Sequence, residues 1–369
     1  MTDARASSWE FTTDQNRILS SATSNPIVLR KAAVHPSNLN RMQSLQSLRS
    51  EKESPPISVL CCVYNGERFI ASTLRSIQSQ TFKEFEFIIV NDGSSDSTED
   101  IIKPFADSDR RIRIYSRPRG GIAAARNDAV QLAKSEIIAW IDADDLASPE
   151  RLRLQYDYLQ AHQKCVVVGG QWNYIDEKEH FLYHRPAETD SERIVQKLLQ
   201  GTCELANPAT MIRRSAILSA GGYRERNGAE DADLWLRLLS HGDLCNLSEV
   251  VLHYRVHAGQ LSHVKSFEQR ISFVESVNAY RETRNLAPLE LPIAKSKCHA
   301  NELFELAFRC WHYGSFAPAR RLFFRSIYAK PTYGRAYVGL ILSTLRIRPQ
   351  TVAKFRSNFL RARTASVPE

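Results

Sequence analysis

The sequence contains one dense acidic group, Asp142-Ala143-Asp144-Asp145, directly after an apolar run at residues 136–141. In an extended segment Asp142 and Asp144 point to the same side. Two carboxylates held this close repel one another unless a cation lies between them, and carboxylate oxygens suit Mg²⁺ or Mn²⁺. The group is therefore a candidate metal site. The alternative is a solvated turn whose aspartates cap the following helix.

A second acidic pair, Glu230-Asp231, opens a segment in which Leu234 and Leu238 have helical spacing. Carboxylates in the first turn of a helix are favoured by the helix dipole, which is the structural interpretation. The functional interpretation is that one of them is a general base directed into a crevice. The pair by itself leaves both interpretations open.

Polar groups also follow the first two apolar runs of the chain. Tyr64-Asn65-Gly66-Glu67 comes after residues 57–63, and its tyrosine can stack on a nucleobase. Asn91-Asp92 comes after residues 85–90, and its carboxylate can accept a hydrogen bond from a base or a ribose. Each segment can instead be a turn or a helix cap.

Two further segments are candidates for contacts with phosphate. Residues 119–127 combine Gly120-Gly121 with a helix start, where backbone amides favour an anion. The segment matches neither the Walker pattern nor G-x-G-x-x-G, which removes the main support for nicotinamide dinucleotide binding. Later in the chain, alternation places His253, Arg255 and His257 on one side of an extended segment, where they can supply a metal ligand or a diphosphate contact.

These candidates lie at the ends of the elements that must position them. Short apolar runs alternate with helical patterns, which predicts a mostly parallel sheet covered by helices on both faces. The runs are residues 57–63, 85–90, 112–115, 136–141 and 166–169. A further helix is expected to begin at Ser148-Pro149. Ligands bind outside the carboxyl ends of such strands, so the polar groups after the first, second and fourth runs are expected to form one site.

The chain of 369 residues divides by composition into three parts. Residues 1–55 are polar and predict a flexible extension. Residues 56–262 hold the alternating pattern, and residues 263–369 are helical and basic. Ala319, Phe323 and Pro331 match the offsets of one tetratricopeptide unit. Because one unit cannot stand alone, a plain helical hairpin is the preferred interpretation.

The net charge of +8 comes from the C-terminal part, because residues 301–369 carry +9. Basic residues surround apolar ones between positions 346 and 363, so the tail is a candidate for docking on an anionic membrane. A solvated helix or a disordered tail is the alternative. No apolar run is long enough to span a bilayer, no secretory signal is visible, and the seven cysteines lack C-x-x-C spacing. We therefore expect a cytoplasmic protein, either free or peripheral on the inner face of the plasma membrane.

In their order and spacing, these segments closely resemble the family 2 glycosyltransferases, bacterial enzymes with the nucleotide-diphospho-sugar transferase fold called GT-A. The resemblance covers residues 57–257 and is carried by ISVLCCVYNGERFIASTLRSIQSQTFKEFEFIIVNDGSSDST, GGIAAARNDAV, IIAWIDADD, ANPATMIRRSAILSAGGY, and EDADLWLRL followed by YRVH. It implies a Rossmann-like, mostly parallel sheet flanked by helices, followed here by a helical region. It also implies an inverting, metal-dependent transfer of a sugar from a nucleoside diphosphate donor to a hydroxyl group, in the synthesis of bacterial cell-surface polysaccharide or glycolipid.

The resemblance further implies a role for each candidate residue. Asp231 would be the general base, with Glu230 beside it. Asp144, Asp142 and His257 would hold Mn²⁺ or Mg²⁺, with Asp144 as the direct ligand. The nucleotide would be bound by Val63, Tyr64, Asn65, Glu67, Asp92, Arg126 and Asp142. The implied partners are a UDP-sugar donor and a saccharide or lipid-linked saccharide acceptor, and no nucleic acid is expected.

The chain departs from the common family pattern at two places, and two other functions stay open. Asn91-Asp92 replaces a frequent Asp-Asp, and Arg119 stands where asparagine often precedes the glycine. A sugar nucleotidyltransferase would share the fold class, but such enzymes begin with a glycine-rich loop and an activating lysine, whereas the first run here leads into Tyr64. A helical adaptor with a catalytically inactive, transferase-like domain is disfavoured by the intact Asp142, Asp144 and Asp231.

Overall fold

The computed structural model describes residues 54–257, 259–260, 266–291, 299–349 and 351. The strands in this part of the chain are β1 (Ile57–Val63), β2 (Phe85–Asn91), β3 (Ile112–Ser116), β4 (Ile137–Trp140), β5 (Leu146–Ala147), β6 (Cys165–Ile175), β7 (Phe181–Arg185), β8 (Met211–Arg213) and β9 (Asp243–Arg255). They form one sheet in the order β3-β2-β1-β4-β8-β6-β9-β5, with β7 beside β6. A short 3₁₀ helix at Asn207–Ala209 precedes β8.

The described helices flank this sheet or follow it. They are α1 (Ile70–Gln78), α2 (Thr98–Ser108), α3 (Ile122–Leu132), α4 (Arg151–Ala161), α5 (Ser191–Leu199), α6 (Arg214–Ser219), α7 (Glu230–Leu238), α8 (Ser266–Glu282), α9 (His299–His312), α10 (Phe316–Ala329) and α11 (Gly334–Thr344). No helix in the described ranges has the length and apolarity needed to cross a bilayer.

The strands β1 to β4 make up the parallel half of the sheet. β1 pairs in parallel with β2 on one side and with β4 on the other, and β3 continues beyond β2. Every residue of β2 is buried, as expected for a strand that is covered on both faces. The first four predicted runs therefore coincide with real strands. Because these strands are parallel, the carboxyl ends of β1, β2 and β4 lie at the same edge.

The other half of the sheet is mixed, which the sequence pattern does not predict. β8 is antiparallel to both β4 and β6, β9 runs parallel to β6, and β5 is antiparallel to β9. β6 extends to Ile175, well past the predicted run at residues 166–169. The strands β5 and β8 have two and three residues, which is too few to produce a periodic apolar pattern.

Two apolar clusters cover the two faces of the sheet. Leu74 of α1 belongs to the same cluster as Val59 of β1, whereas Leu234 of α7 belongs with Leu60 on the other face. These four side chains are almost fully buried, and burial of such a side chain contributes about 1.5–3 kcal/mol. Successive side chains of β1 thus pack into the apolar clusters on opposite faces of the sheet. The loop at the carboxyl end of β1 is therefore anchored to a strand that is packed on both faces.

The predicted start of one helix is wrong by a few residues. α4 begins at Arg151, not at Ser148-Pro149. The backbone N–H of Arg151 donates to the carbonyl of Ser148, and the carbonyl of Pro149 accepts a hydrogen bond from the N–H of Thr81. Pro149 is therefore tied to the end of α1 instead of opening the helix.

The C-terminal helices form a third apolar cluster around α9, α10 and α11. Ala319 and Phe323 are fully buried there. Tyr313, which follows α9, stacks on Tyr183 of β7 with ring centroids 5.4 Å apart. The predicted helical hairpin is confirmed and extended by a third helix. Residues 1–53 and 352–369 lie outside the described residues, and so do almost all of the predicted extension and most of the predicted membrane-binding tail.

Candidate active site

A cavity of about 820 Å³ opens at the carboxyl ends of β1, β2 and β4. It is lined by nine of the eleven residues that the sequence singled out: Tyr64, Asn65, Asp92, Arg126, Asp142, Asp144, Glu230, Asp231 and His257. They come from six separate elements or loops. The other two, Val63 and Glu67, are not among its lining residues.

Asp144 and His257 meet at the loop of residues 142–145, which follows β4 and which we call the acidic loop. The imidazole Nε2 lies 2.8 Å from Asp144 Oδ2, and the ring packs on Phe69 with centroids 4.7 Å apart. His257 Nδ1 is buried and has no hydrogen-bond partner among the described residues. A carboxylate and an imidazole are donors that divalent metals accept in proteins. The pair therefore fits a divalent ion, although in the described part no three such side chains form a ready ligand set.

Arg255 holds the acidic loop in place and does not face a diphosphate as the alternation suggested. Its side chain is buried, and its Nε donates to the carbonyl of Asp144 at 2.7 Å. Its guanidinium carbon lies 4.8 Å from the ring centroid of Phe69. The backbone N–H of Arg255 donates to Asp145 Oδ1 at 2.8 Å. One residue of β9 thus fixes both the backbone and a side chain of the loop.

Asp145 supports this loop from inside the protein. Its side chain is fully buried, and Oδ2 has no partner among the described residues. Burial raises the pKa of Asp145 well above its usual range, and the nearby Asp144 and Asp142 carboxylates add to that rise. The hydrogen bond from the N–H of Arg255 opposes this rise.

Arg126 joins the acidic loop to α7. Its Nη1 donates to Glu230 Oε1 at 2.5 Å, and its Nη2 lies 3.4 Å from Asp142 Oδ1. Burial alone would lower the pKa of Arg126, but the Glu230 and Asp142 carboxylates more than offset it and raise that pKa. Burial raises the pKa of Asp142 to about 6, against the opposing effect of Arg126. Glu230 is thus buried in an ion pair, where it positions Arg126.

Asp231 is the carboxylate of α7 that remains accessible to the cavity. Unlike Glu230, it is only partly buried. Its Oδ1 accepts a hydrogen bond from the N–H of Ala232 at 2.7 Å. Burial raises the pKa of Asp231 to about 6, and the neighbouring Glu230 carboxylate adds to the rise. A carboxylate with this pKa is a stronger base than an ordinary aspartate and is still mostly ionised at neutral pH.

Asp92 fixes the glycine turn before α3. Its two oxygens accept hydrogen bonds from the N–H groups of Gly120 and Gly121, both at 2.9 Å, and Arg117 donates to it at 2.6 Å. Gly121 has φ 87° at the N-cap of α3, a conformation that favours glycine. Asp92 therefore reaches the cavity as predicted, but its carboxylate also organises the loop that borders it.

Tyr64 presents a ring at the mouth of the cavity, where Arg119 covers it. The guanidinium carbon lies 3.8 Å from the ring centroid, and Nη1 donates to the Tyr64 hydroxyl at 2.8 Å. Both residues line the cavity. In the sequence Arg119 stands out only as a departure from the family pattern. Its contact with Tyr64, 55 positions away, could not be predicted from the sequence.

The remaining predicted nucleotide contacts shape the turn after β1. The Val63 carbonyl accepts a hydrogen bond from the N–H of Asp92. Asn65 Oδ1 accepts from the N–H of Ser95 at 2.8 Å, and Glu67 Oε2 accepts from the N–H of Ser97 at 3.0 Å. These groups join the loops after β1 and β2, and of the three only Asn65 also lines the cavity.

Comparison with known proteins identifies the family. The sequence profile of "Glycosyl transferase family 2" matches residues 58–219. The O-antigen biosynthesis glycosyltransferase WbnJ of Escherichia coli is 33% identical over 205 residues, which are 54% of this chain and 80% of that protein. The chain belongs to glycosyltransferase family 2. Another relative of this glycosyltransferase is the putative glycosyltransferase EpsE of Bacillus subtilis (strain 168), which is 32% identical over 247 residues, or 65% of this chain and 85% of EpsE.

The fold of this glycosyltransferase also has a solved counterpart. S. aureus TarS 1-349, in a crystal structure with UDP-GlcNAc, matches 85% of this chain and 93% of its own with a TM-score of 0.50 at 17% identity. Such a likeness shows the fold alone. The predicted GT-A fold with a C-terminal helical region is confirmed, and so is the prediction that the protein is an enzyme that transfers glycosyl groups.

Proposed function

We propose that this glycosyltransferase transfers a sugar from a nucleoside diphosphate donor to an acceptor hydroxyl in one inverting, metal-dependent displacement. The observation that carries the proposal is the position of Asp231. It faces the same cavity as Asp142, Asp144 and His257, and its pKa is raised to about 6. A base with a pKa near the working pH combines sufficient ionisation with sufficient strength.

The metal would be held by Asp144, His257 and Asp142. The contact between Asp144 and His257 and the buried, unpartnered Nδ1 of His257 support this assignment. Bound Mn²⁺ or Mg²⁺ would neutralise the charge that develops on the departing diphosphate. Arg255 contributes indirectly, because its bond to the Asp144 carbonyl holds the loop in register.

The donor would lie with its base near Tyr64 and its diphosphate near the acidic loop. Tyr64 is 39% exposed and offers an aromatic face on which a base can stack. We assign Asp92, Arg126 and Asp142 to nucleotide binding, with Val63, Asn65 and Glu67 shaping the turn. A UDP-sugar is the donor that we favour, since TarS shares the fold and is described with UDP-GlcNAc.

In the reaction, Asp231 takes the proton from the acceptor hydroxyl. The hydroxyl oxygen forms a bond to the anomeric carbon while the bond from that carbon to the diphosphate oxygen breaks. The attack comes from the face opposite to the leaving group, so the configuration inverts, as in the inverting glycosidases. Glu230 is a positioning residue in this scheme, because it neutralises Arg126 and stays buried.

The relatives and the sequence support a proposal for the biological setting. WbnJ is named for O-antigen biosynthesis, which supports a role in bacterial cell-surface polysaccharide or glycolipid synthesis with a saccharide or lipid-linked saccharide acceptor. Residues 56–262 would form the catalytic domain, between the extension 1–55 and the helical region 263–369. We place the enzyme in the cytoplasm, either free or peripheral on the inner face of the plasma membrane.

The test is the Asp231→Asn variant, with Asp107→Asn on the exposed side of α2 as a control for the change in charge. Release of nucleoside diphosphate from a panel of UDP-sugars, with water as the acceptor, should fall by about 10²- to 10⁴-fold in the first variant. Binding of UDP with Mn²⁺, measured by calorimetry, should stay unchanged in both. Full turnover in Asp231→Asn, or turnover unaffected by EDTA, would contradict the proposal.

A further inference from the structure

The outward side of α11 is apolar and exposed. Tyr337, Val338, Ile341 and Leu345 are 42%, 56%, 59% and 63% exposed. Ile341 lies four residues after Tyr337, three after Val338 and four before Leu345, which puts all four on one side of the helical segment. The opposite side carries small residues that are buried toward α10, namely Ala336, Gly339 and Ser343. A contiguous apolar stripe of this kind on an outer surface indicates an interaction site.

The charge around this stripe has one sign. Residues 306–368 contain no Asp or Glu, yet they contain twelve Lys and Arg. Lys330 and Arg335 lie before the stripe, and Arg346 and Arg348 follow it; all four are exposed. In the described part of the chain none of the four pairs with a carboxylate. The chain beyond α11 adds four more basic residues, at positions 354, 356, 361 and 363.

We propose that this surface docks on a lipid bilayer that carries anionic phospholipid. We call it the α11 face and define it as Tyr337, Val338, Ile341, Leu345 and the four basic residues Lys330, Arg335, Arg346 and Arg348. The apolar side chains enter the boundary between headgroups and acyl chains, and the basic residues meet lipid phosphates. The inference goes beyond the transfer reaction and does not depend on it.

The features of the α11 face favour a bilayer over the other occupants. α11 has eleven residues, about half of the ~20 needed to span a membrane, and one side of it is already buried, so it can lie on a bilayer but not cross it. A second copy of the chain would bring two strongly positive surfaces together. Like charges at an interface repel, whereas an anionic bilayer is complementary to both the charge and the stripe.

Vesicle binding of the full chain tests the proposal. We expect at least tenfold stronger cosedimentation with vesicles of phosphatidylcholine and phosphatidylglycerol than with phosphatidylcholine alone. The double variant Ile341→Asn/Leu345→Asn should lose about tenfold or more of the binding to anionic vesicles, because it removes two apolar side chains that would leave water. The matched control is Leu218→Asn/Leu291→Asn, which changes two exposed leucines elsewhere on the surface and should bind as the parent does.

Two further measurements separate the alternatives. Circular dichroism and donor hydrolysis in solution should be the same in all variants. A loss of vesicle binding can then not be attributed to unfolding or to damage at the active site. A full-length variant with Lys354, Arg356, Arg361 and Arg363 changed to Gln should keep most of the vesicle binding. The proposal is overturned if that variant loses binding while Ile341→Asn/Leu345→Asn keeps it. Light scattering that shows a dimer dispersed by the α11 variant, without vesicle binding by the parent, would also overturn it.

Discussion

Two walls of the cavity carry acidic side chains, and the two walls differ in the hydrogen bonds, ion pairs and pKa values of these side chains. On the β2 wall, which we define as Asp92 with the turn at residues 117–121, the carboxylate accepts three hydrogen bonds from Arg117, Gly120 and Gly121. On the α7 wall, which is Glu230 and Asp231, one carboxylate is consumed by a buried ion pair and the other lies beside it with a pKa raised to about 6.

This difference distinguishes carboxylates that hold a loop in place from a carboxylate that can accept a proton. Hydrogen bonds to the ionised form stabilise a carboxylate as it is and fix the groups that donate them. A carboxylate that is desolvated next to another negative group keeps an affinity for protons, which a general base needs. We therefore expect changes on the β2 wall to act mainly on stability and loop order. Changes on the α7 wall should act on proton transfer as well.

The largest effect on stability is expected from Glu230→Gln. The change removes the closer of the two carboxylates that contact the buried guanidinium of Arg126, which donates to Glu230 at 2.5 Å and lies 3.4 Å from Asp142. Leaving one charge of a buried pair uncompensated costs about 3–5 kcal/mol. Urea unfolding monitored by fluorescence should show this loss. The exposed Glu84→Gln is the control, and a loss below about 1 kcal/mol in Glu230→Gln would show that Asp142 is sufficient to compensate the charge of Arg126.

A smaller loss is expected from Asp92→Asn on the β2 wall. The asparagine side chain has one oxygen in place of two, and its NH₂ group faces a group that donates to Asp92 in the parent. At least one hydrogen-bond donor among Arg117, Gly120 and Gly121 therefore loses its acceptor. Such a loss in a buried position costs about 1–3 kcal/mol. The same urea experiment measures it, with Asp107→Asn as the matched control. A loss equal to that of Glu230→Gln would remove the distinction between the two walls.

The parallel half of the fold could be predicted because its signals are local. Residues 57–63 and 85–90 are continuous apolar runs, and each is followed by polar residues at the point where the strand ends. Since parallel strands share an edge, the convergence of Tyr64, Asp92 and Asp142 follows from the pattern alone. The pattern of apolar runs therefore predicts where the cavity lies.

The rest of the site depends on contacts between distant parts of the chain. Arg255 holds the carbonyl of Asp144 across 111 positions, and Arg126 reaches Glu230 across 104. Nothing local to an arginine distinguishes a buried clamp from a solvent-exposed charge. The antiparallel strands β5 and β8 could not be predicted from the sequence either, because strands of two or three residues carry no periodic apolar pattern.

The pH dependence of turnover distinguishes the two walls directly. Because the pKa of Asp231 is raised to about 6, the base is protonated and inactive below that pH and ionised above it. Donor hydrolysis should therefore fall about tenfold per pH unit below pH 6 and level off above it. Glu230→Gln should move this limb to lower pH, since the Glu230 carboxylate contributes to the rise in the pKa of Asp231. Asp92→Asn should leave the limb in place, and a shift there would contradict the assignment.

The smallest effect concerns the contact between Arg119 of the β2 wall and Tyr64. A cation–π pair at an exposed site is worth about 0.5–1 kcal/mol. A double-mutant cycle of Arg119→Gln and Tyr64→Leu, measured by urea unfolding, should give a coupling of that size in the free enzyme. Saturating UDP with Mn²⁺ should reduce the coupling toward zero, because the base takes the ring face that the guanidinium covers at 3.8 Å. The exposed Phe181→Leu is the control partner and should show no coupling with Arg119→Gln. A coupling that UDP leaves unchanged would mean that the base binds elsewhere in the cavity, and the β2 wall would then lose its role in nucleotide recognition.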